Sequence, residues 1–201
     1  RLFKEDGHNT IGFEPSKAGY LACRKIGLNV SPNFFEPIKL ENAPKQDLFI
    51  MINLLEHVPR PDELLDELKK YVNPSTGYLM ILVPNEFNPL QELVMKQRKI
   101  EPYFFAPPIH LSYFTPSSLE KLLISTGFKI IHRTTDFPME WYLLNGRDYL
   151  NNPDIGDACH KERLLFEKNL YENPKLFWNF YDSLAKNNLG REIIIVAQMS
   201  T

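Results

Sequence analysis

Short β-rich runs alternate with helical stretches along this chain, and that alternation restricts its fold more than any other feature. Such repeats imply βα units laid onto a mainly parallel sheet with helices on both faces. His8 to Phe13 reads as a strand, because Thr10, Ile11 and Phe13 suit a pleated surface. Ser16 stands where it can cap a helix from Lys17 to about Lys25, ended by Gly27. Asp47 to Asn53 reads as a buried strand, and Pro61 to Tyr71 as a helix with acids early and Lys69 and Lys70 late. Asn73 to Gly77 forms a turn before the strand Tyr78 to Val83. Beyond Asn85 the regular alternation breaks. Phe87 to Ile100 reads as helical, and 102–108 as a proline- and aromatic-rich loop. Thr115 caps a helix that starts at Pro116, runs to Ser125 and stops near Gly127. The strand Phe128 to Thr134 follows, then helices over about Asp157 to Leu170 and Pro174 to Asn187, then a last strand, Glu192 to Gln198.

At 201 residues the chain fits one domain with a helical elaboration, and a formal net charge of −2 gives no basic stripe for nucleic acid. Its lysines and arginines alternate with acids, as on solvated helix faces. Cys23 and Cys159 are too few and too far apart for a disulfide framework or a zinc cluster. No apolar run reaches the roughly 18 residues that span a bilayer, and no signal peptide is visible, so a cytoplasmic enzyme without a membrane partner is expected. The first residue is Arg, which leaves room for a segment ahead of it.

Three segments carry chemistry. Ile11-Gly12-Phe13-Glu14-Pro15-Ser16 is a strand that ends in an acid before a helix, where doubly wound sheets place a carboxylate on a nucleotide ribose. A solvated glutamate fits the same pattern. In Asp47-Leu48-Phe49-Ile50-Met51-Ile52-Asn53-Leu54-Leu55-Glu56-His57-Val58 an apolar strand delivers Asn53 and then a Glu-His pair to its mouth. The third is Ile109-His110-Leu111-Ser112-Tyr113-Phe114-Thr115-Pro116, followed by Leu119, Leu122, Leu123, Gly127 and Phe128.

Taken in order and with their spacing to Gly77-Tyr78-Leu79-Met80-Ile81-Leu82-Val83-Pro84-Asn85, these segments resemble the class I S-adenosylmethionine-dependent methyltransferases, small-molecule branch. The resemblance covers nearly the whole chain and is loosest from about Asp136 to Asn188. It implies a Rossmann-like α/β fold in which 1–85 form the cofactor-side half. The acceptor-side half is then 86–201, with a lid over 86–115 and a helical insertion over 136–188 before the last strand. The family's acidic-x-Gly-x-Gly loop is absent: nine glycines occur and no two form a G-x-G. The first strand and its glycine loop are therefore expected upstream of Arg1.

Carried over by position, the resemblance implies that Glu14, next to Pro15, holds the cofactor's ribose. Asn33-Phe34-Phe35-Glu36 lies at the adenine, and Asn53 and Leu54 line the methionine end. Paired aromatics such as Phe34 and Phe35 are more often core than cofactor contacts. His57 and His110 are the candidate catalytic residues, since imidazole removes a proton from a hydroxyl or an acidic carbon near neutral pH. Glu56 and His57 could instead orient each other and anchor a loop, and His110 could be a satisfied structural histidine. No metal is expected, because Asn53 stands where a further carboxylate ligand would be needed. His8, His132 and His160 carry no motif. Among the aromatics, Tyr103, Phe104 and Phe105 suit an acceptor pocket. Those of Pro174 to Asn187 suit the buried face of a helix pair or a homodimer contact. The expected function is methyl transfer from S-adenosylmethionine to an oxygen or carbon of a small molecule. The rivals are a catalytically silent methyltransferase-like subunit and a nicotinamide-dependent oxidoreductase.

Overall fold

The computed structural model describes residues 1–35 and 45–200. The chain forms two compact units, 1–44 and 45–201.

In the first unit, helix α1 (Leu2–Glu5) leads to β1 (Gly12–Phe13), α2 (Lys17–Lys25) and β2 (Val30–Ser31). The strands pair in parallel, Gly12 with Val30 and Phe13 with Ser31. Only the end of the expected strand His8 to Phe13 joins this ladder. A two-residue β2 gives residues 8–11 nothing to pair with among the described residues. Ser16 caps α2 as its position suggested, its side chain accepting from the Gly19 amide. Gly27 turns the chain out of α2 at φ 76°, a left-handed conformation that costs glycine nothing. Glu36 lies outside the described residues.

The second unit is built on a four-stranded sheet, ordered β3-β4-β6-β5: β3 (Leu48–Ile52), β4 (Tyr78–Pro84), β5 (Phe128–Thr134) and β6 (Glu192–Met199). β3 and β4 run parallel, and β6 runs antiparallel to both neighbours, so three of the four strands point the same way. This is the mixed α/β, mainly parallel, Rossmann-like sheet that the alternation implied. Leu79, Ile81 and Val83 from β4 and Ile193, Ile195 and Ala197 from β6 are buried. Each fully buried Leu, Ile or Val contributes about 1.5–3 kcal/mol, so this pair of central strands anchors the unit. β3 departs from the fully buried strand expected. Met51 is buried, but Leu48, Ile50 and Ile52 are exposed, because β3 is an edge strand with one face covered among the described residues.

Helix α3 (Pro61–Leu68) packs Leu65 and Leu68 inward. Gly77 closes the turn before β4, where a Cβ would stand 2.5 Å from the Asn73 carbonyl oxygen. Helices α4 (Pro89–Arg98) and α5 (Pro116–Ser125) both begin with proline behind a reciprocal cap, Asn88 with Gln91 and Thr115 with Ser118. A short helix, α6 (Glu140–Leu144), was not foreseen. The long α7 (Pro153–Leu170) and α8 (Pro174–Lys186) match the two helices expected before the last strand. Phe137, Tyr142, Cys159 and Tyr181 form their core, with Phe177 packed against it. The α8 aromatics thus follow the buried-face reading, although Trp178 stays half exposed.

Candidate functional site

β3 and β4 run side by side and release their polar residues at the same end of the sheet. After β3 the chain turns through Asn53, whose φ of 48° is left-handed and whose amide donates to the Leu82 carbonyl at 2.9 Å. Leu54 follows, half-buried, and a 3-10 turn, Leu55–His57, carries Glu56 and His57. After β4 come Asn85, Glu86 and Phe87, the last also left-handed at φ 60°. The segment 109–112 closes onto this end: the amides of Leu111 and Ser112 both donate to the Glu56 carbonyl.

Four side chains meet there. The His57 and His110 rings stand edge to face with centroids 5.0 Å apart. His110 Nδ1 lies 2.9 Å from Glu86 Oε1. His57 Nδ1 lies 2.8 Å from the Ile109 carbonyl oxygen, and its Nε2 lies 3.6 Å from Glu56 Oε1. A carbonyl only accepts, so His57 Nδ1 carries the hydrogen. Glu56 and Glu86 are almost wholly buried, at 1% and 2% exposure, while His57 is half-buried. Burial pushes the Glu56 carboxyl above its usual range, against the pull of His57 and His110. Burial, with Glu56 nearby, raises Glu86 to about 7.

The segment that carries Glu56 and His57 offers no third ligand of its own, since Asn53 stands there. Folding adds His110 from a segment fifty residues away, so Glu56, His57 and His110 offer ligand atoms within 4.8 Å of one another.

An aromatic wall adjoins the histidines. Tyr113 stacks on Phe105 at 5.0 Å and lies 5.9 Å from His110, and Phe87 meets Phe104 edge to face at 5.0 Å. Of the three loop aromatics singled out, Phe104 and Phe105 join this wall. Tyr103 also packs on Phe104, but its hydroxyl donates to the buried Glu140.

In the first unit, Glu14 ends β1 and its Oε1 accepts from the Ser16 amide at 2.9 Å. Hydrogen bonds from Ser16, side chain first, hold its carboxyl below the usual range. Pro15 is exposed. Phe35 packs edge to face on Phe13 at 5.1 Å, whereas Phe34 is 72% exposed. The remaining histidines lie elsewhere; His132, for one, pairs with Asp182 at the surface.

The sequence reading missed Glu86. The available signal was a lone acid in the short link between an apolar strand and a capped helix.

The sheet and its helices define a Rossmann-like α/β fold. The family described as "Methyltransferase domain" matches residues 1–133, and the chain belongs to that family, within the S-adenosylmethionine-dependent methyltransferases. This membership sets the nicotinamide oxidoreductase reading aside. No curated protein matches the sequence. Among solved structures, the chain is similar to a SAM-dependent methyltransferase from Archaeoglobus fulgidus, with TM-score 0.57 and 19% identity over 98% of this chain and 78% of the other. It is also similar to mycolic acid cyclopropane synthase CmaA1, with TM-score 0.55 and 12% identity over 98% and 73%. A third is the 1,6-didemethyltoxoflavin-N1-methyltransferase of Burkholderia thailandensis, with TM-score 0.52 and 12% identity over 100% and 65%. These likenesses show the fold. No helix among the described residues is long and apolar enough to cross a membrane.

Proposed function

We propose that the chain binds S-adenosylmethionine and transfers its methyl group to an oxygen or carbon of a small, partly apolar molecule. The observation that carries this reading is the His57–His110 pair, backed by two buried carboxylates and flanked by Phe87, Phe104, Phe105 and Tyr113. Methyl transfer is an in-line displacement on a sulfonium, so the protein chiefly positions the acceptor and withdraws its proton. Glu86 holds the His110 Nδ1 hydrogen, which leaves Nε2 free to take a proton from a hydroxyl or an acidic carbon. The rings supply an apolar wall for the rest of the acceptor. The cofactor assignment draws support from similar structures whose descriptions include S-adenosylhomocysteine, among them CmaA1 and the toxoflavin enzyme. Glu14, with Pro15, is assigned to the ribose, Phe34 and Phe35 to the adenine, and Asn53 and Leu54 to the methionine end. The homodimer and the cytoplasmic location belong to the same proposal.

Calorimetry with S-adenosylhomocysteine tests it. Glu14→Gln removes the charge-assisted part of two hydrogen bonds and should weaken binding roughly 10- to 100-fold. Unchanged affinity in Glu14→Gln removes the ribose assignment. A chain that binds the product yet transfers no methyl group to any acceptor in a hydroxylated and aromatic panel is the silent subunit instead.

A further inference from the structure

In the cluster at the mouth of β3 and β4, three buried carboxylate oxygens have no hydrogen-bond partner among the described residues: both of Glu56, and Oε2 of Glu86. The Ile109 carbonyl places a hydrogen on His57 Nδ1, and Nε2 faces Glu56 Oε1 at 3.6 Å. A shared proton or a cation between them satisfies both groups. Among the described residues neither Glu56 oxygen has a hydrogen-bond partner, although the side chain is only 1% exposed. His110 repeats the arrangement: its Nδ1 is taken by Glu86, which leaves Nε2 as its free nitrogen. A backbone carbonyl on one imidazole and a carboxylate on the other are the outer partners that orient metal-binding histidines.

We propose that Glu56, His57 and His110 bind one divalent transition-metal ion of the zinc class, through a carboxylate oxygen and two imidazole nitrogens. Ligand atoms within 4.8 Å of one another need only small side-chain rotations to reach metal–ligand distances of about 2.0–2.2 Å. Two imidazoles and one carboxylate favour a first-row transition ion over magnesium or calcium, which prefer all-oxygen sites. Three protein ligands leave a coordination position open. Resting on the methyl-transfer reading, that position would take an acceptor hydroxyl and lower its pKa. The O–H proton passes to solvent, the oxygen forms the C–O bond, the methyl–sulfur bond breaks, and sulfur keeps the electron pair as a thioether. The two histidines then hold the ion, and the acceptor atom is oxygen, not carbon.

The test needs no acceptor. The chain, stripped with a chelator, is titrated with zinc chloride by calorimetry and with cobalt(II) by visible absorption. One equivalent of zinc and cobalt d–d bands of a nitrogen–oxygen site are expected. Glu56→Gln should weaken zinc binding by about 100-fold or more, and Glu86→Gln by about 10- to 100-fold as an outer partner. His132→Ala should leave it unchanged. Absence of both zinc uptake and cobalt bands in the unaltered chain overturns the proposal, as does wild-type affinity in folded Glu56→Gln. S-adenosylhomocysteine binding is measured on the same samples. Zinc uptake without product binding removes the methyl-transfer reading alone, and product binding without zinc uptake removes the metal alone.

Discussion

Two regions of the second unit collect carboxylates away from water, and they handle them differently. Near the last strand, burial lowers the Arg191 pKa, but the charges of Glu140, Glu192 and Asp136, with Tyr149, hold it above its usual value. Asp136 also accepts from the Glu192 amide at 2.8 Å, and Thr135 donates to the Glu192 carbonyl. A permanent cation and one backbone donor act on that group, although Glu140 Oε2 and Glu192 Oε2 have no hydrogen-bond partner among the described residues. At the mouth of β3 and β4, Glu56 and Glu86 pair, among the described residues, with imidazoles, whose charge depends on pH or on what they bind. A guanidinium spends its charge on holding the fold. A histidine pair keeps its charge conditional, which is what a site that moves protons or holds a ligand requires.

The largest effect should come from His110. If it works on the acceptor, His110→Ala lowers turnover by roughly 10²–10⁴-fold. The single variant also strands buried Glu86, at about 1–3 kcal/mol of stability. His110→Ala combined with Glu86→Gln should regain most of that stability and none of the turnover. Turnover that returns along with the melting temperature would make His110 a structural residue and collapse the contrast. Next comes Arg191→Met, which leaves three acids without their cation and should cost roughly 3 kcal/mol, read by denaturant unfolding. A loss below about 1 kcal/mol would mean that the arginine does not settle its group.

The smallest effect is in pH. Burial raises Asp136 to about 6 and, with Asp136 nearby, Glu192 to about 8, while Arg191 pulls both down and Glu140 pushes both up. Arg163 also lowers Asp136, and Glu56 also raises Glu192. An acid whose folded pKa lies above its unfolded value stabilises at low pH. That contribution fades as pH rises through the folded pKa. Melting temperature should therefore drift down between about pH 5 and 8 and then flatten, and Glu192→Gln should remove the upper part of the drift. A profile that Glu192→Gln leaves unchanged would assign the drift to other groups.

Local rules carried much of this fold into the sequence. Thr115, Pro116 and Ser118 start α5 where capping chemistry says they should, and β5 and β6 lie where their β-branched runs placed them. The Glu56–His57 pair was visible as a motif. Its completion was not, because His110 and Glu86 come from separate loops, and only the parallel pairing of β3 with β4 brings those loops to one end. Nor could α6 be seen: at five residues it is too short for a periodic signal, and tertiary contacts hold Tyr142 and Leu143 in place. The exposed face of β3 escaped for the opposite reason. An apolar run looks the same whether one or both of its faces are covered.

Phe87 shows how a site of this kind sets its own tolerance to change. Its left-handed backbone costs a side chain with a Cβ about 1–2 kcal/mol, yet its ring packs on Phe104 beside the histidines. Glycine or asparagine at this position would relax the backbone and remove the ring together. Selection for a more stable chain and selection for a more active one would therefore pull residue 87 in opposite directions. Asn53, bent the same way at the end of the neighbouring strand, escapes that conflict because asparagine accepts the conformation readily.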